Sequence, residues 1–145
     1  MLRRHRIAEA FLVNVMGFGW HEVYAEAHRI APTLSEPLIQ RMADMCGHPT
    51  HCPHGEPIPD HESAIENMND IPLTEVEAEQ HYTITRVLTR EAERLEYIEA
   101  LGLLPNAKVE VLHKAPFNGP MQLKVGEEYR IIGHNLAELI RTKAG

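Results

Sequence analysis

The chain is poor in aromatics, which make up 6% of it, and in cysteine, of which it has two. Basic residues are also short: 14 Lys and Arg stand against 21 Asp and Glu, for a formal net charge of −7. That balance argues against nonspecific gripping of phosphate backbones, so no direct DNA binding by this chain is expected. No apolar run approaches the roughly 20 residues that span a bilayer. The apolar stretch behind Arg3, Arg4 and Arg6 is broken by Glu9 and Asn14, which reads as neither a signal peptide nor a membrane insertion. The expected compartment is the cytoplasm, where a cysteine pair more often stays reduced or binds metal than forms a disulfide. No nucleophile has a base and an orienting partner at a known spacing, so an enzyme is not expected.

What the chain does have is a hinge at CGHPTHCPHGEPIP, residues 46–59, which holds both cysteines and four prolines. Cys46, His48, Cys52 and His54 fall within nine residues, with His51 as a fifth candidate. Thiolate and imidazole suit a zinc-like site, but the spacing C-x-H-x3-C-x-H is not that of a standard finger. The alternative is a Pro-rich turn in which Cys46 packs in the core and the histidines cap carbonyls. With 145 residues, 43% hydrophobic and 24% charged, the chain suits two small globular domains on either side of this hinge.

Residues 1–56 read as helical. Ile7, Phe11 and Val15 form one stripe of an opening helix, with Ala8, Leu12 and Met16 beside it, and Gly17 and Gly19 end it. No capping residue precedes that helix, which suggests that it continues upstream or that the chain is a piece of something larger. A second segment runs from Trp20 to Ile30 and closes at Pro32. A third is capped by Ser35, carries Leu38, Met42, Met45 and Cys46 on one face, and stops at Gly47. Three short helices bury little, so an apolar face is expected to serve a partner copy. His5 and Glu9 stand at i and i+4 on the first helix, and His28 lies on the second. These three are either solvated surface polar groups or metal ligands.

The order RRHRIAEAFL, HEVYAEAHRI, a Ser-capped helix and GHPTHCPHGEPIP resembles the metal-binding and dimerisation domain of the diphtheria-toxin-repressor family of iron- or manganese-dependent transcriptional repressors, over residues 2–59. In that family a winged helix-turn-helix precedes this segment, and this chain is expected to lack its own DNA-binding domain. The resemblance implies a homodimer through the N-terminal helices and a divalent transition metal, Fe²⁺ or Mn²⁺, with Zn²⁺ as the alternative. His5 and Glu9 match a family histidine and glutamate, and His28 stands where members use Cys or Glu. Tyr24 stands where some members have a further histidine, while Ala31 and Pro32 stand where the family has consecutive Glu and His ligands. What remains of that set is His5, Glu9 and His28, a site either retuned or vestigial.

Residues 57–71 read as an acidic linker with one helical turn around Ser63 to Met68, and residues 72–145 as a small β domain. Strands are expected at His81–Leu88, Lys108–His113, Met121–Val125 and Glu128–Ile132. Thr89 caps an intervening helix, Asn118-Gly119 makes a turn, and Asn135 opens a last helix with Leu136, Leu139 and Ile140. The string LGLLPNAKVEVLHKAPFNGPMQLKVG resembles the FeoA-like, SH3-like domain that follows the dimerisation domain in such repressors. The expected fold class is therefore α+β, a helical dimerisation domain followed by a small SH3-like β-barrel. The expected function is the C-terminal regulatory part of a metal-dependent repressor. Alternatives are a FeoA-like module acting on a ferrous-iron transporter, or a headless partner of a full-length repressor.

Overall fold

A computed structural model describes residues 2–60 and 68–145 of the chain. Two compact units divide it: one takes in residues 1–68 with 90–96, the other residues 69–89 with 97–145. The helical turn expected around Ser63 lies outside the described residues.

In the first unit, α1 (Leu2–Asn14), α2 (Val23–Ile30) and α3 (Glu36–Met45) follow one another. Their i, i+3 and i+4 positions bring Ile7, Ala8, Leu12, Val23, Ala27, Leu34, Ile39, Met42 and Ala43 into one core. Each large aliphatic side chain buried there stabilises the unit by about 1.5–3 kcal/mol. Ser35 caps α3, its Oγ accepting from the Leu38 N–H at 3.4 Å. Gly47, at a φ of 75°, turns the chain out of α3 in the left-handed region that only glycine enters freely.

Three expectations need correction here. The first helix ends at Asn14, leaving Val15 and Met16 exposed at 42% and 58%. The second begins at Val23, because Gly17 and Gly19 keep residues 15–22 as a connection. On α3 the buried face is Ile39, Met42 and Ala43, while Leu38 and Met45 are 48% and 63% exposed. Those two share a helix with the core face but point away from it.

The second unit is built on a six-stranded antiparallel sheet of order β1-β6-β2-β3-β4-β5. Its strands are β1 (Ile71–Pro72), β2 (Gln80–Val87), β3 (Lys108–Lys114), β4 (Met121–Val125), β5 (Glu128–Ile132) and β6 (Ile140–Ala144). In chain order α4 (Ala92–Ala100), whose residues 92–96 count with the first unit, follows β2, and α5 (His134–Ala137) lies between β5 and β6. Alternation puts Ile84, Val109, Val111, Leu123 and Ile140 in the core, all at most 1% exposed. The turn joining β3 to β4 is centred on Phe117 and Asn118, both left-handed, at φ 61° and 56°, with Gly119 N donating to Pro116 O. The expected Asn-Gly centre is thus shifted one residue back.

The last helix is a single turn. Leu139 lies beyond it, and Ile140, expected on its face, opens β6, which pairs with both β1 and β2. Asp70 ties this edge together. Its Oδ2 accepts from Thr85 Oγ1 at 2.6 Å and Arg86 Nε at 3.0 Å, and its Oδ1 accepts from Arg86 Nη2 and Arg141 Nε, each at 3.0 Å. Burial works against the charge, but the hydrogen bonds from Arg86, Thr85 and Arg141 outweigh it and hold the carboxyl at about 2.

Candidate metal centre

The hinge folds as a miniature hairpin. Ile58 N donates to Thr50 O at 2.8 Å, His51 bridges to Pro57, and Cys52 N donates to Glu56 O at 2.8 Å. At its tip Gly55 N donates to Cys52 O at 2.9 Å, closing the four-residue turn Cys52-Pro53-His54-Gly55. Proline in the second place and glycine in the fourth are the residues such a turn favours, and Gly55 sits at a φ of 90°.

That turn sends Cys52 and His54 to the same side, toward Glu9 on α1. Ligand atoms of Glu9, Cys52 and His54 all lie within 4.8 Å of one another, and all three residues are buried. His54 Nδ1 is 3.2 Å from Glu9 Oε2. Nε2 of His54 lies 2.8 Å from the Trp20 carbonyl, which can only accept, so this nitrogen carries the proton and Nδ1 faces Glu9 and Cys52. Burial by itself lowers the imidazole pKa, but hydrogen bonding to Cys52 and Glu9 together with their charges raises it to about 10. The carboxylate and thiol thus favour a positive charge on the imidazole facing them.

Glu9 Oε2 and His5 Nε2 are both buried, and their nearest charged neighbours are His54 Nδ1 at 3.2 Å and Glu9 Oε1 at 3.4 Å. A buried carboxylate needs a cationic partner, either a protonated imidazole or a metal ion. One thiol, one imidazole and one carboxylate are a donor set that borderline divalent ions accept, with room in the coordination sphere for water or a further ligand. The residues fit such an ion.

Second contacts fix the hairpin from two directions. Trp20 Nε1 donates to Pro53 O at 2.7 Å, and its ring lies 4.8 Å from that of His54. Arg6, one turn before Glu9 on α1, donates to Pro57 O and pairs with Glu56 at 3.1 Å. Neither residue stood out in the sequence. Arg6 lies at the helix spacing that marks it as a neighbour of Glu9, but nothing in the sequence ties Trp20 to a loop 33 positions away.

The other candidates fall elsewhere. His5 Nε2 is 3.4 Å from Glu9 Oε1, on the opposite side of that carboxylate from His54. Its ring lies 4.6 Å from Tyr24 and 6.1 Å from His28, and Tyr24 stacks on His28 at 6.0 Å. Burial lowers the His5 pKa, with Glu9 opposing and His28 and Arg90 adding to the effect. The Arg90 guanidinium carbon lies 5.0 Å from the centre of the Tyr24 ring. His28 is exposed, and Ala31 is buried with no donor atom in its side chain. Cys46 is half-buried at the end of α3, where burial pushes its thiol up and keeps it protonated. His48 is exposed, its Nδ1 3.5 Å from Asp44. Among the described residues the structure brings Glu9, Cys52 and His54 together and leaves Cys46 and His48 outside that cluster.

Comparison with known proteins gives two family matches. Residues 1–60 match the iron dependent repressor, metal binding and dimerisation domain, and residues 71–143 match the FeoA domain. The iron-dependent repressor IdeR of Mycobacterium tuberculosis (strain ATCC 25618 / H37Rv) is 30% identical over 99% of this chain and 67% of its own length. The diphtheria toxin repressor of Corynebacterium jeikeium is 26% identical over 79% of this chain and 48% of its own. Among solved structures, a manganese-dependent transcriptional repressor superposes with a TM-score of 0.94 at 27% identity, covering 99% of this chain and 78% of the other. ScaR with bound Zn²⁺ superposes with a TM-score of 0.84 at 26% identity, covering 99% and 71%. These relatives are named as repressors. Among the described residues no helix is long and apolar enough to cross a membrane.

Proposed function

This chain belongs to the family of iron-dependent transcriptional repressors, and from that premise we propose that Glu9, Cys52 and His54 hold one divalent transition-metal ion that governs a homodimer formed through the helical unit. The convergence of a thiol, an imidazole and a carboxylate from two separate stretches, all three buried and with their ligand atoms within 4.8 Å of one another, supports this reading. Bound there, the ion joins α1 to the hairpin 50–58 through direct bonds, so metal loading stiffens the whole unit. A thiolate favours Fe²⁺ or Zn²⁺ over the harder Mn²⁺, while the carboxylate keeps Mn²⁺ acceptable.

Homodimerisation is supported by the matched domain's description and by a set of apolar side chains that the unit does not bury. Leu2, Val15, Met16, Leu38 and Met45 are between 37% and 63% exposed. Five large apolar side chains left exposed on so small a unit support an interaction surface there. The chain would then supply the sensing and assembling part of a repressor.

The test is ion counting combined with sedimentation under anaerobic, reducing conditions. The proposal expects about one ion per chain, lost in His54→Ala, and a metal-strengthened dimer at micromolar concentration. A strict monomer, or an ion count unchanged in His54→Ala, would overturn it. Recovery of a membrane iron transporter as the sole partner, with no effect of metal on assembly, would favour the FeoA-type module instead.

A further inference from the structure

We infer that Trp20 is the positioning residue of this metal centre: it sets the hairpin and chooses which nitrogen of His54 faces the ion. The inference rests on the metal reading of Glu9, Cys52 and His54. Trp20 is the chain's single tryptophan and lies in the connection between α1 and α2. It makes three separate contacts with a four-residue turn. The indole Nε1–H donates to the Pro53 carbonyl at 2.7 Å. The Trp20 carbonyl accepts a hydrogen bond from His54 Nε2–H at 2.8 Å. The indole ring lies 4.8 Å from the imidazole at an interplanar angle of 56°.

The contacts act on different freedoms of the ligand. The indole hydrogen bond fixes where the backbone of the turn lies. The ring limits how far the imidazole tilts. The carbonyl fixes the tautomer, because a proton held on Nε2 leaves the Nδ1 lone pair as the only donor for a metal. Outer contacts of this kind orient a ligand before the ion arrives, and losing one typically weakens metal binding about 10–100-fold. The side chain and the carbonyl belong to one residue, so loosening the indole also loosens the acceptor that sets the tautomer.

The test uses the full chain with Zn²⁺ as the probe, since it is diamagnetic and carries no redox chemistry. Trp20→Phe keeps an aromatic ring beside His54 and removes the indole N–H donor together with part of the ring. The expected result is a Zn²⁺ dissociation constant raised about 10–100-fold. In ¹⁵N-histidine spectra, the His54 Nε2 proton should exchange with solvent at least tenfold faster than in the parent protein. A merely structural role would lower the melting temperature without moving the tautomer signal. Independently of folding of the variant, the single indole N–H of the unaltered protein should be protected from exchange before metal is added, and more so after. Unchanged Zn²⁺ affinity in Trp20→Phe, or a freely exchanging indole N–H in the unaltered protein, overturns the inference. Loss of Zn²⁺ binding in His54→Ala reports on the metal reading alone, so the two failures are told apart.

Discussion

Cys52→Ser is the substitution with the largest expected effect for the smallest change of shape. The side chain is 5% exposed, and serine keeps its size and its place in the turn. What it removes is the sulfur ligand, replaced by a hydroxyl that is a poor metal ligand near pH 7. Structural zinc sites in small domains gain about 10–16 kcal/mol from four ligands, so one ligand is worth about 3 kcal/mol, and about 150-fold in affinity. In the proposed site three side chains would share the ion, so the loss of one would leave only Glu9 and His54. Trp20 provides the assay, because the sole indole lies 4.8 Å from the His54 ring and its emission reports the ion directly. Titration with Zn²⁺ should show the midpoint moving by about two decades in Cys52→Ser. Cys46→Ser, outside the cluster, should titrate like the parent protein. A shift under fivefold in Cys52→Ser, or an equal shift in both, would refute the assignment of ligands.

Asp70→Asn should destabilise the β unit by about 3–5 kcal/mol, since it leaves Arg86 and Arg141 without their buried counter-charge; urea unfolding followed by circular dichroism measures it. In the parent protein the folded carboxyl, at about 2, lies below its ordinary 3.8, so its contribution is complete above about pH 4 and drains away as pH falls toward 2. Unfolding midpoints flat across that window would contradict the network. Gly55→Ala places a side chain at a φ of 90°, costs about 1–2 kcal/mol, and should weaken metal binding by distorting the turn. Leu38→Glu and Met45→Glu, on the outer face of α3, should leave monomer folding intact and weaken the dimer, as read by sedimentation.

The sequence carried the parts of this fold that local chemistry decides. Ser35 and Gly47 announced the two ends of α3, and alternation announced β3, β4 and β5 within a residue or so. Where burial depends on a distant neighbour, periodicity chose wrongly. Leu38 and Met45 have the same hydrophobicity as Ile39 and Met42, and only the packing of α3 against α1 decides which pair goes inside. Ile140 reads equally well as helix or strand, and its pairing with Val87 on β2, more than fifty residues earlier, makes it strand.

The site was legible as an inventory and hidden as a geometry. Glu9, Cys52 and His54 all stood among the candidates, but in two separate groups of residues. Spacing within CGHPTHCPHG puts Cys46, His48, Cys52 and His54 on equal terms. The turn at Cys52-Pro53-His54-Gly55 breaks that equality by aiming two of the four at α1, while His48 faces solvent in a left-handed backbone at φ 56°. The contacts of Trp20 and Arg6 are long-range, and no pattern within either stretch encodes them.

The most direct measurement is a Co²⁺ titration of the reduced protein, read in the near ultraviolet where a cobalt–thiolate bond absorbs. A band should appear that saturates at one equivalent per chain, persists in Cys46→Ser, and is lost in Cys52→Ser. Absence of the band in the unaltered protein, or its survival undiminished in Cys52→Ser, would contradict a metal held by Glu9, Cys52 and His54.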